Sequence, residues 1–316
     1  MNKSRILLCT ICVLLTVSIL VNCYFICSID NKIRTIQPNN LSLLDPAVAS
    51  MDMDYFLNLK KEYTASYLPL KEEILSIVSE SEGTFGVYFE DLTFHSWTGI
   101  NEKKKFKPAS LLKVTSVSAV LKGVEKGENS LDTKIVLDRD DVNYKFGDLY
   151  EQEGDLFTIE ELIEIALKHS DNTAINALHK VMSNEVWEES RIAMGLPFVS
   201  VEESKKGIVL SPKEFSNVFR SLYFAGYLSR ASSNWILSLL SETDFNEGIP
   251  SGVPQDIKVA HKIGHWLGEG CVHDCGIVYA SHPYLLCIMS EGTTLEEGNR
   301  IIEKISKAVY YYVSSH

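Results

Sequence analysis

The sequence predicts an α/β fold of the α+β kind: an antiparallel sheet built from N- and C-terminal segments, with an all-helical subdomain inserted between them. Three patterns predict it. Strand-like runs occupy Thr84–Glu90 and Thr93–Gly99 and return after Pro254, whereas the chain between Gly123 and about Phe245 follows helical periodicity. Strands at both ends of a helical stretch require a sheet assembled from distant segments. The third pattern, a charge-free run from Ile6 to Cys27, puts an N-terminal membrane anchor ahead of the fold.

In chain order, residues 1–5 form a short cytoplasmic stub with Lys3 and Arg5, and residues 6–27 are the anchor or signal segment. At ~1.5 Å per residue the run is long enough to cross a bilayer. A cleaved signal would have a shorter apolar core and a small-x-small exit, and neither is present. Leu20-Val-Asn-Cys23 loosely resembles a lipoprotein cleavage box, but Asn22 stands where a small residue belongs. Residues 28–62 are polar and read as a tether. The domain of residues 63–316 opens with a helix around Leu70–Ser79, apolar at Leu70, Ile74, Leu75 and Val78. Two strands follow, joined by a short turn at Asp91-Leu92. A helix then begins at Pro108 and stops at Gly123, and it is apolar except at its mouth.

Further on, Thr158-Ile-Glu-Glu161 and Ser211-Pro-Lys-Glu214 are capping boxes that each open an amphipathic helix. After Pro254 come Ile257–Lys262, a hairpin of Val272–Ala280 with Tyr284–Ser290, and a closing amphipathic helix over Leu295–Val313. A cleft between sheet and helical subdomain is the natural place for a site.

Composition narrows the classes of function. With 316 residues, 45% of them apolar, the chain has enough material for one domain of roughly 250 residues plus an appendage. A net charge of -12 argues against nucleic acid as a partner, and a monomer is expected. Four of the seven cysteines lie in the apolar run. Cys271 and Cys275, in extended chain, would sit ~13 Å apart, too far to bridge. No disulfide framework is indicated. The eight histidines show neither His-x-His nor His-Glu-x-x-His spacing, so no metal or other cofactor is expected.

Three short strings carry the chemistry. In Ser110-Leu-Leu-Lys113 the hydroxyl and the amine lie one turn apart at a helix mouth. A poorly solvated lysine can take a serine's proton and make it a nucleophile. His169-Ser170-Asp171-Asn172 sits between two helical stretches, and taken alone it would be an ordinary cap. Lys262-Ile263-Gly264 ends a late strand, and taken alone it is a charged edge followed by a turn. In this order, with 60 residues from Ser110 to Ser170, the three strings resemble those of class A β-lactamases and of the penicillin-binding D,D-peptidases that share their fold. Thr173-Ala174 and Gly248-Ile-Pro-Ser-Gly252 extend the resemblance, which covers about residues 67–316.

The resemblance implies a role for each residue. Ser110 would be the acylated nucleophile and Lys113 its general base. Ser170 would pass a proton to the leaving nitrogen. Asn172 would orient Lys113 and bind the substrate amide. Lys262 would face the substrate carboxylate and tune Ser170. The backbone N–H groups of Ser110 and His265, beside Gly264, would form the oxyanion hole. The implied partner is a β-lactam or a D-alanyl-D-alanine-type peptide. The implied location is the outer face of a bacterial membrane, held by a single span.

Two departures stand out. Ile263 replaces the hydroxyl residue usual in the third string, so carboxylate anchoring must pass to another group such as His265. The Glu-x-x-Leu-Asn string of class A enzymes, whose glutamate frees the acyl-enzyme, is missing between Asn176 and Ser211. Glu202 and Glu203 are the only carboxylates near its place, and a solvated loop pair is their alternative reading. Three readings follow: a β-lactamase-like serine hydrolase with slow deacylation, a membrane-tethered D,D-peptidase, and a binding or sensing domain without turnover. Acylation of Ser110, and then its release, separates them.

Overall fold

The structure, a computed structural model, describes residue 43, residues 67–199 and residues 207–315. The stub, the anchor at residues 6–27 and the pair Glu202 and Glu203 lie outside the described residues, as does all of the tether but Leu43. Among the described residues no helix is long and apolar enough to cross a membrane.

The sheet is antiparallel, with five strands in the order β2-β1-β7-β6-β5. These are β1 (Thr84–Asp91) and β2 (Trp97–Ile100) from the start of the domain, and β5 (Val259–Trp266), β6 (Cys271–Val278) and β7 (Tyr284–Glu291) from its end. The union of distant segments is therefore as expected, with β1 running against β7 along its whole length. On one face, α1 (Leu68–Val78) and α8 (Leu295–Ser315) pack on apolar side chains that include Phe85, Val87, Leu286 and Ile288. On the other, Tyr88, Cys275, Ile277 and Leu285 join the core of the helical subdomain.

That subdomain contains α2 (Lys113–Glu125), α3 (Ile159–Lys168), α4 (Asn172–His179), α5 (Asn184–Ala193), α6 (Pro212–Tyr223) and α7 (Arg230–Leu240). Both capping boxes form, at Thr158 with Glu161 and at Ser211 with Glu214. A small hairpin, β3 (Lys134–Val136) with β4 (Leu156–Thr158), interrupts the helices and was not expected from periodicity.

Four local expectations are corrected. The second strand begins at Trp97 rather than Thr93, because Asp91 Oδ1 accepts from the N–H groups of Thr93 and Phe94 and holds them in a turn. Gly123 does not stop α2; the helix runs to Glu125, and Gly127 just beyond it, with φ 75°, lets itself and Glu128 bond back to Val124 and Gly123. The third string lies within β5, which runs on to Trp266, rather than at a strand end. Cys275 and Cys287, cross-strand partners on β6 and β7, form a disulfide, and Cys271 is left as a buried thiol. The bridge was invisible because pairing depends on strand register, not on spacing along the chain.

Leu43 also departs from the reading of residues 28–62 as a plain tether. Its side chain is 3% exposed and belongs to the helical core. Its N–H donates to Asn234 Oδ1 (3.1 Å), and its carbonyl accepts from the Tyr279 hydroxyl (2.6 Å).

Candidate active site

Ser110 sits in a single 3₁₀ turn, Ala109–Leu112, that leads directly into α2. With three residues per turn, positions 110 and 113 eclipse one another, so both side chains face the same cleft. Ala109 has φ 48°, a costly conformation for a residue with a side chain. The turn is braced from β6. His273 Nδ1 accepts from the Ser290 N–H (3.0 Å), so its Nε2–H donates to the Lys107 carbonyl (2.8 Å) just before the turn. Burial holds His273 down at about 4, which keeps the ring neutral in that role. Gly264 packs against the same turn. A Cβ there would lie 2.9 Å from the Pro108 carbonyl oxygen and 3.0 Å from Leu111 Cγ.

The second string is a strained connection between α3 and α4. Ser170 has φ 56°, and Asp171 caps α4 by accepting from the Ala174 N–H (2.8 Å). The other carboxylate oxygen of Asp171 accepts from the Leu149 N–H (3.0 Å), and the Asn172 N–H donates to the Phe146 carbonyl (3.0 Å). Residues 146–149 are thereby fixed against Ser170. Gly147, with φ 88°, makes this approach possible, since a Cβ there would lie 2.0 Å from Asp171 Oδ2.

The two lysines converge on Ser170. Lys262 Nζ donates to Ser170 Oγ at 2.7 Å, and Lys113 Nζ donates to the same oxygen at 3.3 Å and to the Ser170 carbonyl. Both lysines are buried, Lys113 at 5% and Lys262 at 1% exposure. Phe146 and Phe245 lie beneath them, with ring centres 5.9 and 5.7 Å from the respective amines. Burial lowers Lys113 to about 8, opposed by the Asp171 carboxylate. Burial, reinforced by the Lys113 charge, pulls Lys262 well below the ordinary lysine range, and Asp274 opposes the shift.

Ser110, Lys113 and Phe146 open onto a cavity of about 620 Å³ between the sheet edge and the helical subdomain, and Ser170 and Lys262 are buried behind this lining. Ser110, Lys113, Asn172 and His265 line it, and no Asp or Glu appears among its described lining residues. His265 Nε2 is buried there without a hydrogen-bond partner, and burial lowers its pKa. Asn172 lines the cavity, and its Nδ2 donates to Asn143 Oδ1 (3.3 Å). Ile263 is buried in β5 and does not line the cavity.

Sequence reasoning missed Asp171 as more than a cap, and it missed His273, Phe146, Phe245 and Gly147. Only Gly147, a lone glycine between Phe146 and Asp148, offered a local sign. The remainder act through contacts distant in sequence.

A serine at the mouth of a buried helix, a buried lysine one turn in, and a second serine held by two lysines define an active-site serine hydrolase architecture. The model of the β-lactamase enzyme family matches residues 69–313, and the chain belongs to that family. Solved structures agree on the fold. PBP-A is 22% identical with a TM-score of 0.72, covering 79% of this chain and 97% of PBP-A. A PBP-A variant, in its acyl-enzyme complex with penicillin G, is 23% identical with a TM-score of 0.71, covering 78% and 97%. A β-lactamase from Sphaerobacter thermophilus is 22% identical with a TM-score of 0.73, covering 80% and 99%.

Proposed function

We propose that this serine hydrolase forms an ester between Ser110 and a β-lactam, and that release of the ester is slow. The observation that carries the proposal is the shared grip on Ser170 by Lys113 and Lys262 beside Ser110. A neutral lysine amine has two N–H donors and one lone pair. Lys113 spends its donors on the oxygen atoms of Ser170, which leaves the lone pair for the Ser110 proton. As Ser110 Oγ bonds to the lactam carbonyl carbon, Lys113 takes that proton. The N–H groups of Ser110 and His265 then bear the oxyanion.

Collapse of the intermediate breaks the C–N bond, and the leaving nitrogen needs a proton. Ser170 Oγ accepts from both lysines, so its two lone pairs are engaged and its own proton is turned outward. Ser170 gives that proton to the nitrogen and is reprotonated from Lys113. Lys262 meets the substrate carboxylate, whose charge restores the ammonium that burial disfavours. The unpartnered His265 Nε2 lines the cavity and can take the anchoring role that Ile263 cannot fill. Slow release is supported by the missing Glu-x-x-Leu-Asn string between Asn176 and Ser211. The apolar run at residues 6–27 would hold the domain outside a bacterial membrane.

A second reading keeps the same chemistry with a D-alanyl-D-alanine peptide as acyl donor, and Ile263 favours neither substrate. Intact-mass spectrometry after incubation with penicillin G tests the central step. One stoichiometric adduct is expected on the wild-type chain and none on Ser110→Ala. An equal adduct on the alanine variant would refute the assignment.

A further inference from the structure

Ser170 and Lys262 come from distant segments, yet their side chains meet at 2.7 Å. The residue before each is a histidine, and the loop that follows α7 grips both His169 and His261. We propose that Glu242, Thr243 and Asp244 form a clasp that holds Ser170 against Lys262, and that Thr243 is a positioning residue for the Lys262 amine. The inference rests on the reading of Ser110 as the acylated residue and of Lys262 as the partner of the substrate carboxylate.

Three consecutive side chains make the clasp. Glu242 pairs with Lys168 (2.8 Å) and Asp244 with His169, and the Asp244 N–H donates to the Lys168 carbonyl (3.4 Å). Thr243, between them, pairs instead with β5: its Oγ1 lies 3.2 Å from His261 Nε2, a contact that forms whichever atom donates. The β5 end is buried. His261 is 2% exposed, and its Nδ1 meets Asp274 Oδ1 of β6 at 2.8 Å. The other oxygen of Asp274 accepts from the Ile249 N–H (2.7 Å). On a strand, neighbouring side chains point to opposite faces. The bonds at His261 therefore fix the backbone from which Lys262 departs without touching its amine.

The clasp runs directly into Phe245, whose ring lies 5.7 Å from the Lys262 amine and 5.9 Å from the Phe146 ring. Besides Ser170 Oγ, that amine has a long hydrogen bond to the Ile263 carbonyl (3.4 Å). Its position is thus set chiefly by where β5 and Phe245 place it. As a source of stability the outer half of the clasp is minor, because Glu242 and Asp244 are about 60% exposed and such ion pairs add little. As a source of position it matters more, since a shift of ~1 Å at a reacting centre can cost ~10²-fold in rate. None of the clasp residues handles a proton in the acylation steps, so its expected effect is on geometry alone.

The test compares acylation of the full-length chain, in detergent, by penicillin G and by its methyl ester, which lacks the free carboxylate that Lys262 would meet. Thr243→Val removes the hydroxyl at nearly constant volume, Thr243→Ser keeps it, and Glu242→Ala with Asp244→Ala opens the exposed half. Thr243→Val should slow acylation by penicillin G about tenfold and by the ester about twofold or less. Thr243→Ser should stay within about twofold of the wild type for both. The double alanine variant should shift the rates in the same sense, by about threefold for penicillin G. A fall shared equally by both donors, or unchanged rates in Thr243→Val and in the double variant, would overturn the clasp. Should Thr243→Val fail to fold, the double variant decides by the same ratio. Lack of a Ser110 adduct in the wild-type chain would instead refute the proposed acylation. The clasp would then be read from calorimetric binding of the same two probes to Ser110→Ala. There Thr243→Val should reduce the preference for the free carboxylate, and an undiminished preference would overturn the clasp.

Discussion

The two walls of the cleft differ in what they can do with a proton. The wall formed by the Ser110 turn, the Ser170 connection and β5 gathers two serines, two buried lysines and an unpartnered imidazole nitrogen. The facing wall, from α4 and α5, presents Ile175, His179 and Trp187, with Ser116 of α2 between them. The first wall holds the groups that the proposed acylation would use. The second offers a mostly apolar surface. Making an ester and breaking it are thus separable demands on the fold, since each needs its own base within reach.

The sharpest way to break this comparison is at Lys113. Lys113→Ala should slow acylation by ~10²–10⁴-fold, the usual worth of positioned proton transfer. Acylation by the wild-type chain should also depend on pH. Below about 8 Lys113 carries a proton and cannot accept one, so the rate should climb as pH rises through about 8 and then level. Stopped-flow acylation with a fluorescent penicillin reads both effects. A wild-type rate in Lys113→Ala, or a rate flat between acid and alkaline pH, would locate the base elsewhere.

The facing wall is probed by turnover. A chromogenic cephalosporin should give a burst equal to the enzyme concentration, then a steady rate slower by ~10²-fold or more. Glu202→Gln and Glu203→Gln should leave that steady rate within about twofold, against the 10²–10⁴-fold expected if either were the general base. Fast turnover in the wild type that is lost in one of these variants would make that glutamate the deacylation base and erase the asymmetry.

Much of the acylating wall was legible in sequence because each of its strings has a local cause. Ser110 and Lys113 stand out since Pro108 opens a run that is otherwise apolar, and Ser170-Asp171-Asn172 reads as a helix start. What stayed hidden depends on partners far along the chain. Gly123 and Gly127 look equally able to end α2, and only closure of the Gly127 and Glu128 hydrogen bonds chooses between them. Strands of three residues, as in β3 and β4, are too short to show a period. Cys275 pairs with Cys287 through register, although the hairpin containing both was foreseen. His273 and Trp187 carry no local sign of what they brace, because their partners come from other elements.

Gly147 tests whether the precision of the acylating wall depends on its backbone. In Gly147→Ala, the new methyl group meets Asp171 Oδ2, and the φ of 88° disfavours any side chain. Losing the cap on α4 and straining the turn should together cost roughly 2 kcal/mol. Because Asp171 follows Ser170 directly, acylation should fall about tenfold or more as well, beyond the effect on folding. Thermal melts and acylation rates measured on the same samples separate the two effects. A variant with wild-type acylation would show that Ser170 is held without this loop.

Leu43 supplies the smallest effect and the cleanest contrast with the cleft. It is buried in the helical core and tied by its backbone to Asn234 of α7 and to Tyr279 after β6, away from every group that lines the active-site cavity. Leu43→Ala removes buried methyl groups but no backbone hydrogen bond, so the loss should be about 2 kcal/mol. For a domain of this size that lowers Tm by roughly 5 °C. Acylation below the transition should match the wild type, since nothing the substitution changes touches Ser110 or Lys113. Differential scanning fluorimetry on the full-length chain, alongside the fluorescent-penicillin rate, checks both expectations. An unchanged Tm would mean that the contact at Leu43 contributes nothing to the fold. A lower acylation rate with the fold intact would mean that the helical core transmits to the nucleophile, and the separation between cleft and scaffold assumed in the preceding tests would fail.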